Sequence, residues 1–311
     1  MSERAVGAMR AAGVVRALVI GESLVKAVMF SDETDWRPCE GPVNLACTLA
    51  TRGVDTTLLT QVGADYWSDA IVARLEEASV TLMAAARSGD TLVWNLHMDS
   101  MGTTAARSAV GWPWTLSGAP LPPVDAADIV HYGSLGAALA PGAHHVDDYV
   151  AAARAHALIS YAPRLDATLT VDATPADARA RVDRQAAVSD IVTVGLSELM
   201  LISDPPNGGH WWDTTDDERQ ALVEQLAARW IARGTGLVAV FDWRRGLTLV
   251  TARGVFTLPR TELYAESTPS PVNELDDITA RLLVAIDRAG IRGRGSADAL
   301  RDLDARELSL T

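Results

Sequence analysis

Short apolar runs alternate with longer amphipathic segments along most of the chain. Six runs have the length and β-branched content of buried strands: residues 14–20, 56–62, 129–132, 157–161, 191–194 and 237–241. Five intervening segments space their apolar residues as helices do: residues 44–52, 66–78, 146–156, 175–187 and 216–233. Such alternation predicts βαβ units, and therefore an α/β fold with a mainly parallel central sheet and helices on both faces.

Further strand-like runs, at residues 22–30 and 91–98, fall outside this alternation. We expect them to form a small second sheet, a lid whose strands lie around residues 22–35 and 90–115. The polar segment 32–41, which contains Pro38, is predicted to be a loop. Residues 1–13 are predicted to be a disordered leader, and residues 14–311 a single domain.

Net charge, cysteine spacing and the length of the apolar runs indicate which partners and which classes of protein are improbable. The 311 residues are 48% apolar and carry a formal net charge of −13, which disfavours nucleic acids and anionic membranes as partners. Cys39 and Cys47 lack the spacing of a zinc site or a disulfide framework. No run is long and apolar enough to span a membrane. We therefore expect a cytoplasmic protein.

The most informative segment is the amphipathic helix predicted to start near Asn273. Its first turn carries three acids, Glu274, Asp276 and Asp277. A helix N-terminus is a natural anion site because its N–H groups are unpaired. Here acids of the chain itself occupy that turn, where they also stabilise the helix by interacting with its dipole.

Five segments carry motifs whose order along the chain is informative: VIGESLVKAV, CEGPVNLACTLATRGVDTTLLTQVGADYWSDAIVARLEEASV, DAADIVHYGSLGAALAPG, AHALISYAPRL and SDIVTVGLSELMLI. In this order they resemble the PfkB/ribokinase family of sugar kinases, and its fructokinase-like branch most of all, over residues 14–283. It implies a ribokinase-like three-layer sandwich with a small β lid. The function it implies is transfer of the ATP γ-phosphate to a hydroxyl of a sugar or sugar-like small molecule.

The family's site residues map onto particular positions of this sequence. The resemblance implies that Asp276 is the general base and that Glu198 lies near Mg²⁺, although Glu198 is equally well explained as an exposed helix acid. It places Asn44 and Gly41 at the substrate, although Asn44 is equally well explained as a helix N-cap. Gly246 matches a glycine of the nucleotide loop.

The sequence departs from the family pattern at the chemistry. Asn273, Glu274 and Leu275 replace the Gly-Ala-Gly whose bare backbone holds the transferred phosphate. Lys26 replaces an aspartate that accepts hydrogen bonds from sugar hydroxyls, which suggests an acidic or already phosphorylated acceptor.

Two further departures flank the predicted phosphate and nucleotide sites. Arg164 stands in the strand-end segment that binds phosphates, where it faces either a phosphate or solvent. Trp243 lies in the nucleotide loop, and its ring either blocks the cleft or stacks on a ligand.

Two hypotheses of different class follow. The first is an ATP- and Mg²⁺-dependent sugar kinase with altered substrate choice. The second is a kinase-fold protein that transfers no phosphate, needs no cofactor and serves as a binding or scaffolding subunit. The resemblance also implies a homodimer that forms through the lid.

Overall fold

A computed structural model of the protein describes residues 14–30, 33–38, 41–84, 89–98, 104–110, 116, 118–165, 174–205, 208–264, 274–293 and 296–310. The predicted leader, residues 1–13, lies outside this set. Within it, no helix is long and apolar enough to cross a membrane.

The central sheet confirms the predicted α/β architecture. Its nine strands are ordered β13-β12-β11-β10-β9-β8-β1-β4-β5. They comprise β1 (Arg16–Ile20), β4 (Asp55–Thr60), β5 (Thr81–Ala84), β8 (Ile129–Gly133), β9 (Leu158–Ala162), β10 (Ile191–Gly195), β11 (Leu237–Asp242), β12 (Gly246–Thr251) and β13 (Gly254–Pro259). Pairing is parallel from β5 to β11, whereas β12 and β13 are antiparallel. The carboxyl ends of seven strands therefore meet at one edge.

Helices cover both faces of this sheet. In the described residues they are α1 (Pro42–Thr51), α2 (Tyr66–Glu77), α3 (Gly142–Ala153), α4 (Pro175–Ala186), α5 (Leu196–Leu201), α6 (Asp216–Arg233), α7 (Arg260–Leu263), α8 (Glu274–Arg288) and α9 (Ser296–Arg301). One apolar cluster packs α1, α2, α8 and α9 on the sheet, and a second packs α3 to α6 on the opposite face. In β1, Val19 faces the first cluster whereas Leu18 and Ile20 face the second, as the alternation along a strand requires.

A second sheet is present, as expected, in the order β3-β2-β6-β7. Its strands are β2 (Leu24–Met29), β3 (Thr34–Pro38), β6 (Leu92–Met98) and β7 (Thr104–Val110). We call this sheet the lid. A small apolar cluster that includes Leu24, Trp94 and Leu135 joins it to the body.

The predicted loop at residues 32–41 is wrong in part, because β3 occupies half of it. Among the described strands, β3 pairs with β2 alone, so it lies at the edge of the lid. Edge strands tolerate proline and charged side chains because one side of their backbone faces solvent. The polar composition of residues 32–41 is therefore compatible with an edge strand as well as with a loop.

The N-cap interpretation of Asn44 is also wrong. Helix α1 begins at Pro42, and Gly41 precedes it as the N-cap residue. Asn44 thus lies within the first turn. Proline at the first helical position fits this start, because its fixed φ is helical and the missing N–H has no partner there.

Candidate functional site

An open cleft of about 840 Å³ lies at the carboxyl ends of β9, β10 and β11. Ligands of open α/β sheets bind at this edge. The cleft brings together six predicted site residues: Lys26, Arg164, Glu198, Trp243, Glu274 and Leu275. It is large enough for a small-molecule ligand.

The candidate base, Asp276, is engaged in an ion pair. It lies in the first turn of α8, and its Oδ1 accepts a hydrogen bond from Nη2 of Arg164. The Asp276 side chain is 7% exposed and that of Arg164 is 18% exposed. Arg164 lines the cleft and Asp276 does not. The Arg164 side chain therefore separates the Asp276 carboxylate from the cleft.

Backbone geometry fixes Arg164 in this position. Its φ is +49°, in the left-handed region that few non-glycine residues adopt. The next residue, Leu165, is completely buried in the cluster beneath α3 and α4. The short segment after β9 is therefore anchored by apolar packing and directs its arginine toward α8.

Glu274 makes a second ion pair at the start of α8. Its Oε1 accepts a hydrogen bond of 2.8 Å from Nη2 of Arg260, and the Glu274 side chain is 9% exposed. Arg260 also donates to the backbone oxygen of Trp243, at 2.6 Å. These bonds tie the helix start to the turn between β11 and β12. Asn273, the first of the three replaced glycine-motif residues, lies outside the described residues.

The third acid of this turn is also held by arginines. Asp277 Oδ1 lies 2.6 Å from Arg52 Nη2, and its Oδ2 lies 2.8 Å from Arg281 Nε. All three acids therefore make tertiary ion pairs, which places each of them more firmly than interaction with the helix dipole alone would.

Trp243 leaves the cleft open. The residue is 60% exposed, and the guanidinium of Arg244 lies 4.8 Å from the ring centroid. Of the two alternatives for this ring, blockage is wrong for this conformation. An exposed ring at the rim remains available for stacking on a flat ligand.

Gly246 has a structural explanation. Its φ is +118°, and a Cβ at this position would lie 2.2 Å from the backbone oxygen of Leu258. Only glycine fits this close approach of β12 to β13. Gly246 does not line the cleft, so its predicted contact with a nucleotide stays a prediction.

Glu198 lies on the cleft wall and is bonded to the backbone. Its Oε2 accepts a 2.8 Å hydrogen bond from the N–H of Gly195, and the residue is buried. In the described residues, no cluster of three His, Cys, Asp or Glu side chains could hold a metal. Glu198 alone would fit a magnesium ion bound together with phosphates, because Mg²⁺ commonly binds one or two carboxylates plus phosphates and water.

Asn44 and Gly41 lie away from the cleft wall. The Asn44 amide oxygen accepts a 2.9 Å hydrogen bond from Arg74, and the side chain is buried. Gly41 has a φ of +56°, and a Cβ there would lie 3.8 Å from both Glu22 Oε1 and Ser134 Oγ. Their predicted substrate contacts stay predictions.

Lys26 projects from the lid into the cleft. Its ammonium lies 5.0 Å from the centroid of the Trp94 ring, within the range of a cation–π contact. Lys26 lies on β2 and Trp94 on β6, and these strands pair with the two residues in register. The lid therefore presents a positive charge to the body of the protein.

Sequence reasoning missed Glu22, a buried carboxyl group at the end of β1. It is 1% exposed and accepts hydrogen bonds from Ser134 Oγ at 2.6 Å and from the Gly136 N–H at 2.7 Å. Burial raises the pKa of Glu22 to about 7, although these hydrogen bonds and the charge of Arg164 oppose the rise. The available signal was an acid placed directly after an apolar strand and Gly21.

His131 of β8 is a second buried titratable group near Arg164. Burial lowers the pKa of His131 to about 3, and the charge of Arg164 lowers it further. The ring is therefore neutral at physiological pH, and its Nδ1 lies 2.9 Å from Ser160 Oγ. Arg164 is thus within electrostatic reach of Glu22, His131 and Asp276.

Comparison with known proteins establishes the fold. A fructokinase from Vibrio cholerae, solved with fructose, ADP and calcium ion, superposes with a TM-score of 0.66 at 15% identity, covering 93% of this chain and 88% of that one. A fructokinase from Xylella fastidiosa with bound ATP gives 0.63 at 18% identity, covering 95% and 88%. A ribokinase from Thermotoga maritima gives 0.61 at 17% identity, covering 93% and 89%. The protein therefore has the ribokinase-like fold.

Sequence comparison adds nothing further. No family model matches the chain, and no curated protein sequence matches it. The fold is thus shown by structural likeness alone, and the activity must be argued from the site.

Proposed function

We propose that this protein is a sugar kinase that transfers the ATP γ-phosphate to a hydroxyl of a sugar-like small molecule, with Asp276 as general base. The supporting observation is the open cleft at the carboxyl ends of the strands, where Arg164, Glu198 and Lys26 converge. The structural neighbours include kinases solved with ATP, ADP or fructose. A kinase-fold protein that had lost ligand binding would not need a cleft of this volume.

The two ends of the cleft suit different ligands. Glu198 and Trp243 lie near the ends of β10 and β11, where an adenine ring can stack and a phosphate-bound magnesium ion can meet a carboxylate. Lys26 and Arg164 lie toward the lid and the centre of the sheet. We therefore assign the first end to the nucleotide and the second to the acceptor.

The chemistry requires the Asp276 carboxylate to reach the acceptor. In the reaction, Asp276 takes the hydroxyl proton while the acceptor oxygen bonds to the γ-phosphorus, and the bond from that phosphorus to the β–γ bridging oxygen breaks. The products are ADP and a phosphate ester, and the proton passes to solvent. When bound with ATP, Mg²⁺ supplies charge neutralisation on the phosphates.

A second candidate function rests on one observation. Glu274 places a carboxylate where the resemblance expects bare backbone, and Arg260 holds it there. An anion at this position disfavours a nearby phosphate. The second candidate is therefore a protein that binds a ligand in the cleft without transferring phosphate.

The test is ADP release from ATP and Mg²⁺, measured over a panel of neutral sugars, sugar acids and sugar phosphates, with ³¹P NMR of the product. Under the proposal, at least one acceptor yields a phosphate ester, and Asp276→Asn slows its formation about 10²- to 10⁴-fold. Asp277→Asn is the matched control, since this acid lies on the same helical turn but is paired with Arg52 and Arg281. It should retain turnover.

The outcomes separate the two candidates. Ligand binding by calorimetry without any ester formation would establish the second candidate and refute the first. Equal turnover by the wild type and by Asp276→Asn would show that Asp276 is not the base.

A further inference from the structure

We propose that the acceptor carries a carboxylate or phosphate group, which binds between Lys26 and Arg164 and draws Arg164 away from Asp276. This inference deepens the proposed function, since it names the substrate class and the event that exposes the base. The anion would satisfy the arginine in place of Asp276, and the released carboxylate would then face the acceptor hydroxyl.

Lys26 is unusual in this chain. The protein has 27 basic residues, of which 26 are arginine, so Lys26 is its one lysine. It occurs on the lid, at the cleft, over the face of Trp94. An ammonium is a compact, strongly hydrated charge with three rotatable donors, which can follow an anion of varied shape more easily than a planar guanidinium can.

Arg164 supplies the opposing donor from the body of the protein. Strand order places it after β9, between β10 on the nucleotide side and β8 and β1 on the other. Its charge acts on Glu22 and His131, which belong to the β1 and β8 side. Arg164 therefore lies at the acceptor end of the cleft rather than beside Trp243.

The acids of the cleft also favour this end. Glu198, Asp242 and Glu274 line the wall formed by β10, β11 and the start of α8. Arg219 and Arg244 line the same end, so three acids and two arginines give it a net charge of −1. Lys26 and Arg164 bring two positive charges to the lid end, so an anionic acceptor favours that end.

Competition for Arg164 follows from the geometry of its guanidinium. A guanidinium forms its strongest bonds when a carboxylate or phosphate accepts two parallel hydrogen bonds. Because Arg164 already lines the cleft, a small rotation of its side chain would suffice to meet a ligand there. In the ion pair, Arg164 shields the Asp276 carboxylate from the cleft. An acidic acceptor displaces Arg164 from Asp276, whereas a neutral sugar does not.

The single lysine permits a direct binding assay. Reductive methylation with ¹³C-formaldehyde places one labelled dimethylammonium on Lys26 and another on the N-terminal amine, which serves as internal reference. The probes are D-gluconate, D-glucose 6-phosphate, D-glucose and inorganic phosphate, each titrated without nucleotide. We expect a saturable shift of the Lys26 signal with at least one of the two acidic sugars and no shift with D-glucose.

The two acidic probes distinguish the source of the charge. A response to gluconate alone assigns the site to carboxylates, and a response to glucose 6-phosphate alone assigns it to phosphate esters. Equal binding of inorganic phosphate and glucose 6-phosphate would overturn the assignment to an acceptor, because an anion alone would then account for the affinity. So would an equal response to D-glucose, or no binding of either acid to the unmodified protein by calorimetry.

Variants test the competition itself by calorimetry. Lys26→Met should weaken binding of the acidic probe about tenfold or more, whereas Arg244→Gln, which removes a cation at the nucleotide end, should leave it unchanged. Asp276→Asn should tighten binding several-fold, because the Asp276 carboxylate then no longer competes for Arg164. Unchanged or weaker binding by Asp276→Asn would refute the competition.

Arg164→Met alone leaves Asp276 buried without its cation, so this substitution is combined with Asp276→Asn. The double variant should fold and bind the acidic probe more weakly than either Asp276→Asn or the wild type. These binding results are independent of turnover. If no ester forms but the predicted affinities hold, the proposed function fails and the acidic site stands. If neutral sugars are phosphorylated and Lys26→Met leaves turnover and binding unchanged, the proposed function stands and the acidic site fails.

Discussion

The buried carboxyl group of Glu22 provides a test of the site's electrostatics that does not depend on activity. Its usual pKa of 4.5 rises to about 7 in the folded protein, because burial disfavours the charged form. A tenfold change in proton affinity is worth about 1.4 kcal/mol, so the full rise corresponds to about 3 kcal/mol. Glu22→Gln replaces the group by one that stays neutral at every pH.

The sign follows from proton binding. Between pH 4.5 and about 7 the folded protein holds the Glu22 proton while the unfolded chain has lost it, so this residue's contribution to stability falls as pH rises through that window. Above about pH 7 the loss is complete. In Glu22→Gln this loss is absent, and its amide can still accept from Gly136 and donate to Ser134.

Urea unfolding followed by tryptophan fluorescence measures the difference. The free energy of unfolding of Glu22→Gln, minus that of the wild type, should increase by about 2 to 3 kcal/mol between pH 5 and pH 8. Other titrating groups are common to both proteins and cancel in this subtraction. A difference that stays constant within about 0.5 kcal/mol would refute the assignment of a raised pKa to Glu22.

Two further predictions concern stability. Arg260→Met should destabilise the protein by about 2 kcal/mol, because it leaves the Glu274 carboxylate buried without its partner. The double variant with Glu274→Gln should recover most of this loss in urea unfolding, and additive effects would contradict the coupling. Gly246→Ala should lower the free energy of unfolding by at least about 2 kcal/mol, because its Cβ would meet the backbone oxygen of Leu258 at 2.2 Å. An unchanged urea midpoint would show that the turn can relax.

The layered fold was predictable because local sequence carries its signals. Strands buried on both faces of a parallel sheet are continuous apolar runs, and the run at residues 129–132 became β8 (Ile129–Gly133). The helices between them show apolar spacing on one face. Edge strand β3 lacked such a signal, since Asp35 and Arg37 interrupt any apolar run and, among the described strands, β3 pairs with β2 alone.

The site was predictable only in part, because its contacts join distant segments. The resemblance selected Lys26, Arg164 and Glu198, and the structure brings them to one cleft. The bond between Arg164 and Asp276 spans 112 positions, as does that between Glu22 and Ser134. Composition and periodicity do not report such pairings, since they depend on where the chain folds back on itself.

The lid has a further consequence for how the protein moves. Its apolar contacts with the body include the small cluster around Leu24, Trp94 and Leu135 and the stacked rings of Trp36 and Trp67, whereas the body holds two large clusters. Regions with few buried apolar contacts open at lower free energy than the core does. The amide hydrogens of β2 and β6 should thus exchange with solvent through local opening, long before those of β1 and β8. Since Lys26 lies on β2 and lines the cleft, each opening withdraws its ammonium from the cleft, and more frequent opening should shorten the lifetime of an anionic ligand held there.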